Sequence, residues 1–162
     1  LKRLAATPVR KRDWIVATVV HQSILAVVLT GVMVVVAHLL FGVSATPGPL
    51  AIVLVLLAAV GFGGLGMTLG SFVDDPDAAS SLANAIAFPL MFLSGVFWEI
   101  ELMPDFMQTL ATLLPVYHFH SGLRRLMIVG TTDGVAVAFA SLGAMALVFL
   151  PLAVYTTDWT DW

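Results

Sequence analysis

From Trp14 to Val73 the chain contains no aspartate, glutamate, lysine or arginine. One bilayer span needs roughly 20 consecutive apolar residues, so this stretch holds two spans and the turn between them. The turn is Gly42 to Pro49, where Pro47-Gly48-Pro49 interrupts any helix. Soluble domains carry about 25% charged residues. Here the figure is 10%, with 60% hydrophobic residues and a mean hydropathy of +1.02. The expected fold is all-α, a polytopic transmembrane helical bundle.

Four spans are predicted, over residues 14–41, 50–73, 78–97 and 134–155. Residues 1–13 form a basic lead-in that holds five of the seven lysines and arginines: Lys2, Arg3, Arg10, Lys11 and Arg12. Thr7-Pro8 breaks it, because the residue before proline is pushed out of the helical region. Trp14 follows as an interfacial anchor. Lysine and arginine near span ends mark the cytoplasmic side, so both termini are expected in the cytoplasm and residues 98–133 outside or re-entrant. A start at Leu1 without a signal-peptide layout suggests one segment of a longer membrane domain.

The second span is rich in glycine, and Gly66 and Gly70 form a small-xxx-small pair that would admit another helix closely. Asp74-Asp75-Pro76-Asp77 is a polar loop suited to start the third helix. Pro89 should kink that helix, and Ser94-Gly95 should end it. Between Pro104 and Pro115 there are too few residues to cross a bilayer. Apolar positions at Leu102, Met103, Phe106, Leu110, Leu113 and Leu114 nevertheless follow helical spacing. A short re-entrant or interfacial helix is expected there, and a second short helix from Tyr117 to Met127.

The polar residues of this region invite several chemistries. His118-x-His120 with Glu99, Glu101 and Asp105 resembles a metal set in residue type. Its i, i+2 spacing divides the histidines between helix faces, so no metal site is expected. Ser94, Ser121 and His118 are the only conceivable hydrolase set, and a membrane-embedded hydrolase is a distant third reading. Arg124 and Arg125 could pair with Glu99, Glu101 or Asp105 as an outer gate, since charges at membrane depth are usually partnered; snorkelling to the outer surface is the other reading. His21 and Gln22 in the first span and Asn84 in the third are candidates to line a pathway, or to hydrogen-bond between helices.

The run Phe88-Pro89, Phe92-Leu93-Ser94-Gly95, Met103-Pro104, Leu114-Pro115 and Gly122-Leu123-Arg124 resembles the C-terminal signature of type-2 ABC exporter permeases. Leu4-Ala5-Ala6-Thr7-Pro8-Val9-Arg10 resembles that family's cytoplasmic segment before its third span. The likeness covers nearly the whole chain but about two-thirds of a six-span permease. Where the family often has a proline after the Ser-Gly break, this chain has Trp98-Glu99.

The resemblance implies an ATP-driven exporter of a hydrophobic or amphiphilic substrate such as a drug, lipid or polysaccharide, in the plasma membrane. Two permease halves, as homodimer or heterodimer, would be driven by separate cytoplasmic ATPase subunits that hold ATP-Mg. Ser94, Gly95, Glu99, Glu101, Pro104, Pro115, Arg124 and Arg125 would form the outer gate. The sequence is compatible with that division: a P-loop needs Gly-Lys-Ser/Thr, and both lysines, Lys2 and Lys11, are followed by arginine. No catalytic residue, bound cofactor or nucleic-acid partner is expected on this chain. Arg3, Thr7, Pro8, Arg10, Lys11 and Arg12 are candidates to dock the ATPase, or else a topology signal drawn to anionic lipid. A membrane scaffold without transport is the alternative function.

Overall fold

The structure, a computed structural model, describes residues 11–156. Arg3, Thr7, Pro8 and Arg10 of the docking candidates lie outside the described residues, and Arg12 is exposed at the start of the first helix. The elements are α1 (Lys11–Phe41), α2 (Pro49–Gly70), α3 (Pro76–Leu93), α4 (Asp105–Leu113), α5 (Pro115–Arg124) and α6 (Val135–Thr156). A 3-10 turn, Ile100–Leu102, precedes α4, and a π-helical turn, Arg125–Val129, follows α5. There is no strand among the described residues.

Three of these helices are long and apolar enough to cross a membrane: Arg12–Phe41, Pro49–Gly70 and Val135–Thr156. At 1.5 Å per residue α2 and α6 are each about 33 Å long, against about 30 Å of hydrocarbon. Helix α3 is shorter. Its Asp75 N-cap accepts from the Asp77 amide at 3.2 Å, Pro76 takes the first helical position, and the helix ends at Leu93. The hydropathy pattern runs on to Phe97; the helix stops earlier because Ser94 and Gly95 terminate the hydrogen-bond ladder. With 18 residues α3 is about 27 Å long.

Helices α2 and α6 run parallel and form the packed centre. Leu54 and Ala58 of α2 meet Ala138 and Leu142 of α6, with Phe119 and Leu123 of α5 against them. Lipid tails are as apolar as leucine, so helices in a membrane associate through close packing and interhelical hydrogen bonds. Both are visible along this seam. A Cβ on Gly64 would stand 3.0 Å from the backbone nitrogen of Leu150, and one on Gly61 3.5 Å from the Leu142 carbonyl oxygen. Thr68 Oγ1 donates to Gly64 O at 2.8 Å and lies 3.3 Å from Phe149 O across the seam. At the end of both helices Ser71 Oγ is 2.8 Å from Thr156 Oγ1.

The small residues in contact are therefore Gly61, Gly64 and Thr68. Gly66 and Gly70, the pair that the spacing selects, have no neighbouring atom of the described residues within 4 Å of a Cβ position. Helix α2 is apolar all round, so its periodicity carries no information about which face meets α6.

Helix α1 leans on α2 with little of its surface covered: Ile15 is its one buried hydrophobic residue among those described. Gln22 is the exception in character. Its amide oxygen is buried without a hydrogen-bond partner among the described residues and sits where a Cβ on Gly63 would be. At the opposite end of α1 the loop to α2 is tied to the π turn, with Thr46 N donating to Met127 O at 3.1 Å.

Candidate functional site

The segment between α3 and α6 is a helical hairpin, and its geometry begins at Ser94. This residue is 1% exposed. Its hydroxyl donates to Met91 O at 2.6 Å and accepts from Val96 N at 3.3 Å. One side chain thus bonds both a terminal carbonyl of α3 and an amide just beyond the helix, that of Val96. Gly95 follows with φ +82, a left-handed backbone that favours glycine. Above the break Phe92 stacks on Phe97, with ring centroids 5.1 Å apart.

Helix α4 starts after Pro104, with the Gln108 side chain closing on Met103 O at 2.8 Å. Ala111 is buried, yet Phe106, Leu110 and Leu113 are exposed. Leu114 and Pro115 then reverse the chain, since proline has no N–H to continue the α4 ladder. His118 lies 2.8 Å through Nε2 from Thr112 O, back across the turn. Gly122 fits α5 to the bundle: a Cβ there would be 2.8 Å from Ala138 Cβ and 3.1 Å from Leu54 Cδ2.

The tip of this hairpin reaches deep. Pro115 shares one cavity, of about 450 Å³, with Phe62 and Leu65 of α2, Leu90 of α3, and Met145 and Val148 of α6. Phe62 is roughly 20 Å along α2 from Pro49, and Met145 roughly 15 Å along α6 from Val135. Both starting points lie at the same end of the bundle as the hairpin's return, where Met127 meets Thr46. A smaller recess of about 240 Å³ lies nearer that end, lined by Phe92, Trp98, Leu102 and Met107.

His120 ties the hairpin to the break in α3. Its Nδ1 is 3.7 Å from a Cβ position on Gly95, and the ring hydrogen-bonds to the main chain at Ser94. Burial holds its pKa below the usual 6.5, the Arg124 charge acts in the same direction, and the bond to Ser94 opposes both. His118 and His120 thus address different elements. Among the described residues no group of three or more His, Asp or Glu side chains gathers to hold a metal ion.

The arginines are placed otherwise than expected. Arg125 donates through NH1 to the Asp133 carbonyl at 2.8 Å. Neither Arg124 nor Arg125 reaches a carboxylate of Glu99, Glu101 or Asp105, and all three acids are exposed. The reason is positional: Arg125 opens the π turn, so its guanidinium meets the loop that enters α6. There Thr131 Oγ1 and Asp133 Oδ2 are 3.0 Å apart, and Gly130 and Gly134 turn the chain with φ +74 and +70. Nothing in the pattern of residues signalled this loop as the partner of Arg125.

The pathway candidates are not brought together. Gln22 faces Gly63 at the α1–α2 contact, His21 is exposed on α1, and Asn84 is exposed on α3. Helix α1 packs chiefly against α2, and α3 packs against α2 and the hairpin helices α4 and α5.

Comparison with known proteins gives a consistent result. The family model described as ABC-2 type transporter matches residues 1–128. The linearmycin resistance permease protein LnrN of Bacillus subtilis is 30% identical over 119 residues, covering 69% of this chain and 31% of that protein. The daunorubicin resistance ABC transporter permease protein DrrB1 of Streptomyces coeruleorubidus is 32% identical over 122 residues, covering 72% and 43%. The inner membrane transport permease YadH of Escherichia coli is 34% identical over 90 residues, covering 52% and 35%. The chain spans less than half the length of each of these relatives. No solved structure matches it.

Proposed function

The chain belongs to the ABC-2 type transporter family, and from that premise we propose that it is the membrane-spanning permease part of an ATP-driven exporter. Its substrate is a hydrophobic or amphiphilic compound of the drug or lipid kind. Energy comes from a separate ABC ATPase subunit that binds ATP-Mg, and a second permease half completes the pathway. The observation that carries the reading is the family match over residues 1–128, which includes α1 to α5. Two of the relatives are named as resistance permeases, for linearmycin and daunorubicin.

In this reading α3 is a fourth span, its length being close to the hydrocarbon thickness. Both termini face the cytoplasm of a plasma-membrane protein. The α4–α5 hairpin enters the membrane from outside and returns. The position of Pro115 between Phe62 and Met145 supports this, and so do the exposed Phe106, Leu110 and Leu113, which would be a liability in water. The break at Ser94-Gly95 and the turn at Pro115 are its outer gate, positioned by Gly122 and His120.

The test is association with a cytoplasmic ABC ATPase subunit. Co-purification and stimulated ATP hydrolysis are expected; a full-length permease that never binds an ATPase would overturn the proposal. Charge reversal at Arg10, Lys11 and Arg12 should uncouple hydrolysis from transport while insertion persists. Loss of insertion instead would make residues 1–13 a topology signal.

A further inference from the structure

The break at the end of α3 is held partly by its own residues and partly by a titratable ring. Helix α3 has no buried residue, so apolar packing fixes its end only weakly. Ser94, buried at the break, bonds within its own turn through the hydroxyl. Its main chain takes a further hydrogen bond from outside the helix, from the half-buried His120 of α5. The same ring packs on the left-handed Gly95, with Nδ1 3.7 Å from a Cβ position there, and the Ile100 side chain lies 3.2 Å from that position. His120 therefore touches the two residues at which α3 stops.

The ring sits where a positive charge is poorly served. Arg124 follows it by one helical turn, an i, i+4 neighbour on the same face, and its charge acts on the ring. No residue of α2, of α6 or of 78–98 is charged. Glu99, Glu101 and Asp105 are exposed. His118 turns to Thr112 O, and Arg125 to Asp133 O. Burial and then Arg124 outweigh the Ser94 bond and hold the ring's pKa below the usual 6.5. A charged ring sheds this penalty by reaching water. If it swung out alone, the buried main-chain group at Ser94 would lose a partner with no water to replace it. Hydrating both groups requires α5 and the break to part.

We propose that His120 is an acid-operated latch on the break: neutral, it holds α5 against Ser94 and Gly95; protonated, it releases them, and the end of α3 parts from the hairpin. The latch rests on the packing of α5 against α3 and not on the exporter reading. An undocked ring takes its proton first as pH falls below about 6.5, so the docked arrangement is favoured above that pH and loses ground beneath it.

The chain has no cysteine, so spin labels attach only at introduced ones. Val96 and Val129 are exposed and report on the break and on the end of the hairpin. Distances between labels on Val96→Cys and Val129→Cys are measured by double electron–electron resonance in the full-length protein in detergent micelles, from about pH 7.5 to about pH 5. A longer-distance population should grow several-fold, with its midpoint below about 6.5. His120→Gln keeps a hydrogen-bonding side chain but takes no proton, and its distances should not change with pH. Arg124→Gln removes the neighbouring charge and should move the midpoint upward. Distances indifferent to pH in the otherwise native protein would overturn the latch. So would a pH response that persists in His120→Gln, or a midpoint that Arg124→Gln leaves in place. Should His120→Gln fail to fold, the native and Arg124→Gln titrations still decide.

Discussion

The amide oxygen of Gln22 and the missing side chain of Gly63 occupy one place between α1 and α2. The oxygen is buried and has no hydrogen-bond partner among the described residues, so the contact locks shape at the expense of polarity. Gly63→Ala should cost about 1–3 kcal/mol by overpacking, read as a lower melting temperature in detergent. In a Gln22→Ala background the same substitution should be nearly neutral. Equal losses in both backgrounds would show that Gly63 is required for a reason other than Gln22.

Gly122 makes the corresponding contact for the hairpin, against Ala138 and Leu54. Gly122→Ala should destabilise by about 1–3 kcal/mol, and Ala138→Gly should restore part of the loss. Accessibility of an introduced cysteine at Thr112 would report on hairpin undocking; no change would place the hairpin's anchor elsewhere.

Gly95 is constrained twice, by φ +82 and by Ile100 carbons 3.2 Å from its Cβ position. Gly95→Ala should cost about 1–2 kcal/mol from the left-handed backbone alone, with the Ile100 contact added. Ile100→Ala should therefore rescue it only in part. Protease cleavage near Phe97 and Trp98 measures this; full rescue would mean that the contact, and not the backbone, dominates.

His120 gives a pH dependence of defined sign. Its pKa in the folded protein lies below the usual 6.5, through burial first and then Arg124. The unfolded chain therefore binds the proton first as pH falls below about 6.5, and stability is lost through that window down to the lowered folded value. Melting temperature should fall from about pH 7.5 to about pH 5 more steeply in the native protein than in His120→Gln. Parallel curves would assign the loss to other groups.

The break after α3 was legible because its signals are local. Ser94 satisfies its own neighbours and Gly95 supplies a backbone that other residues resist. The two prolines that bound α4 act through the chain's own geometry in the same way. The partner of Arg125 was not legible. Its guanidinium reaches the Asp133 carbonyl because the π turn delivers it to the entrance of α6, and a backbone carbonyl leaves no mark in a residue pattern. The acids expected to meet it were chosen by charge alone, and charge does not specify position.

What the sequence determined by itself is the membrane-spanning, all-helical character of the chain and the points where helices stop. A charge-free run, prolines and glycines act on each segment regardless of its neighbours. Which face of each helix meets another was decided by the tertiary structure. In α2, apolar on all sides, five glycines offered several seams. Packing selected Gly61 and Gly64 for α6 and Gly63 for α1, and left Gly66 and Gly70 open, because backbone approach depends on how the helix is rotated and sequence periodicity there is silent.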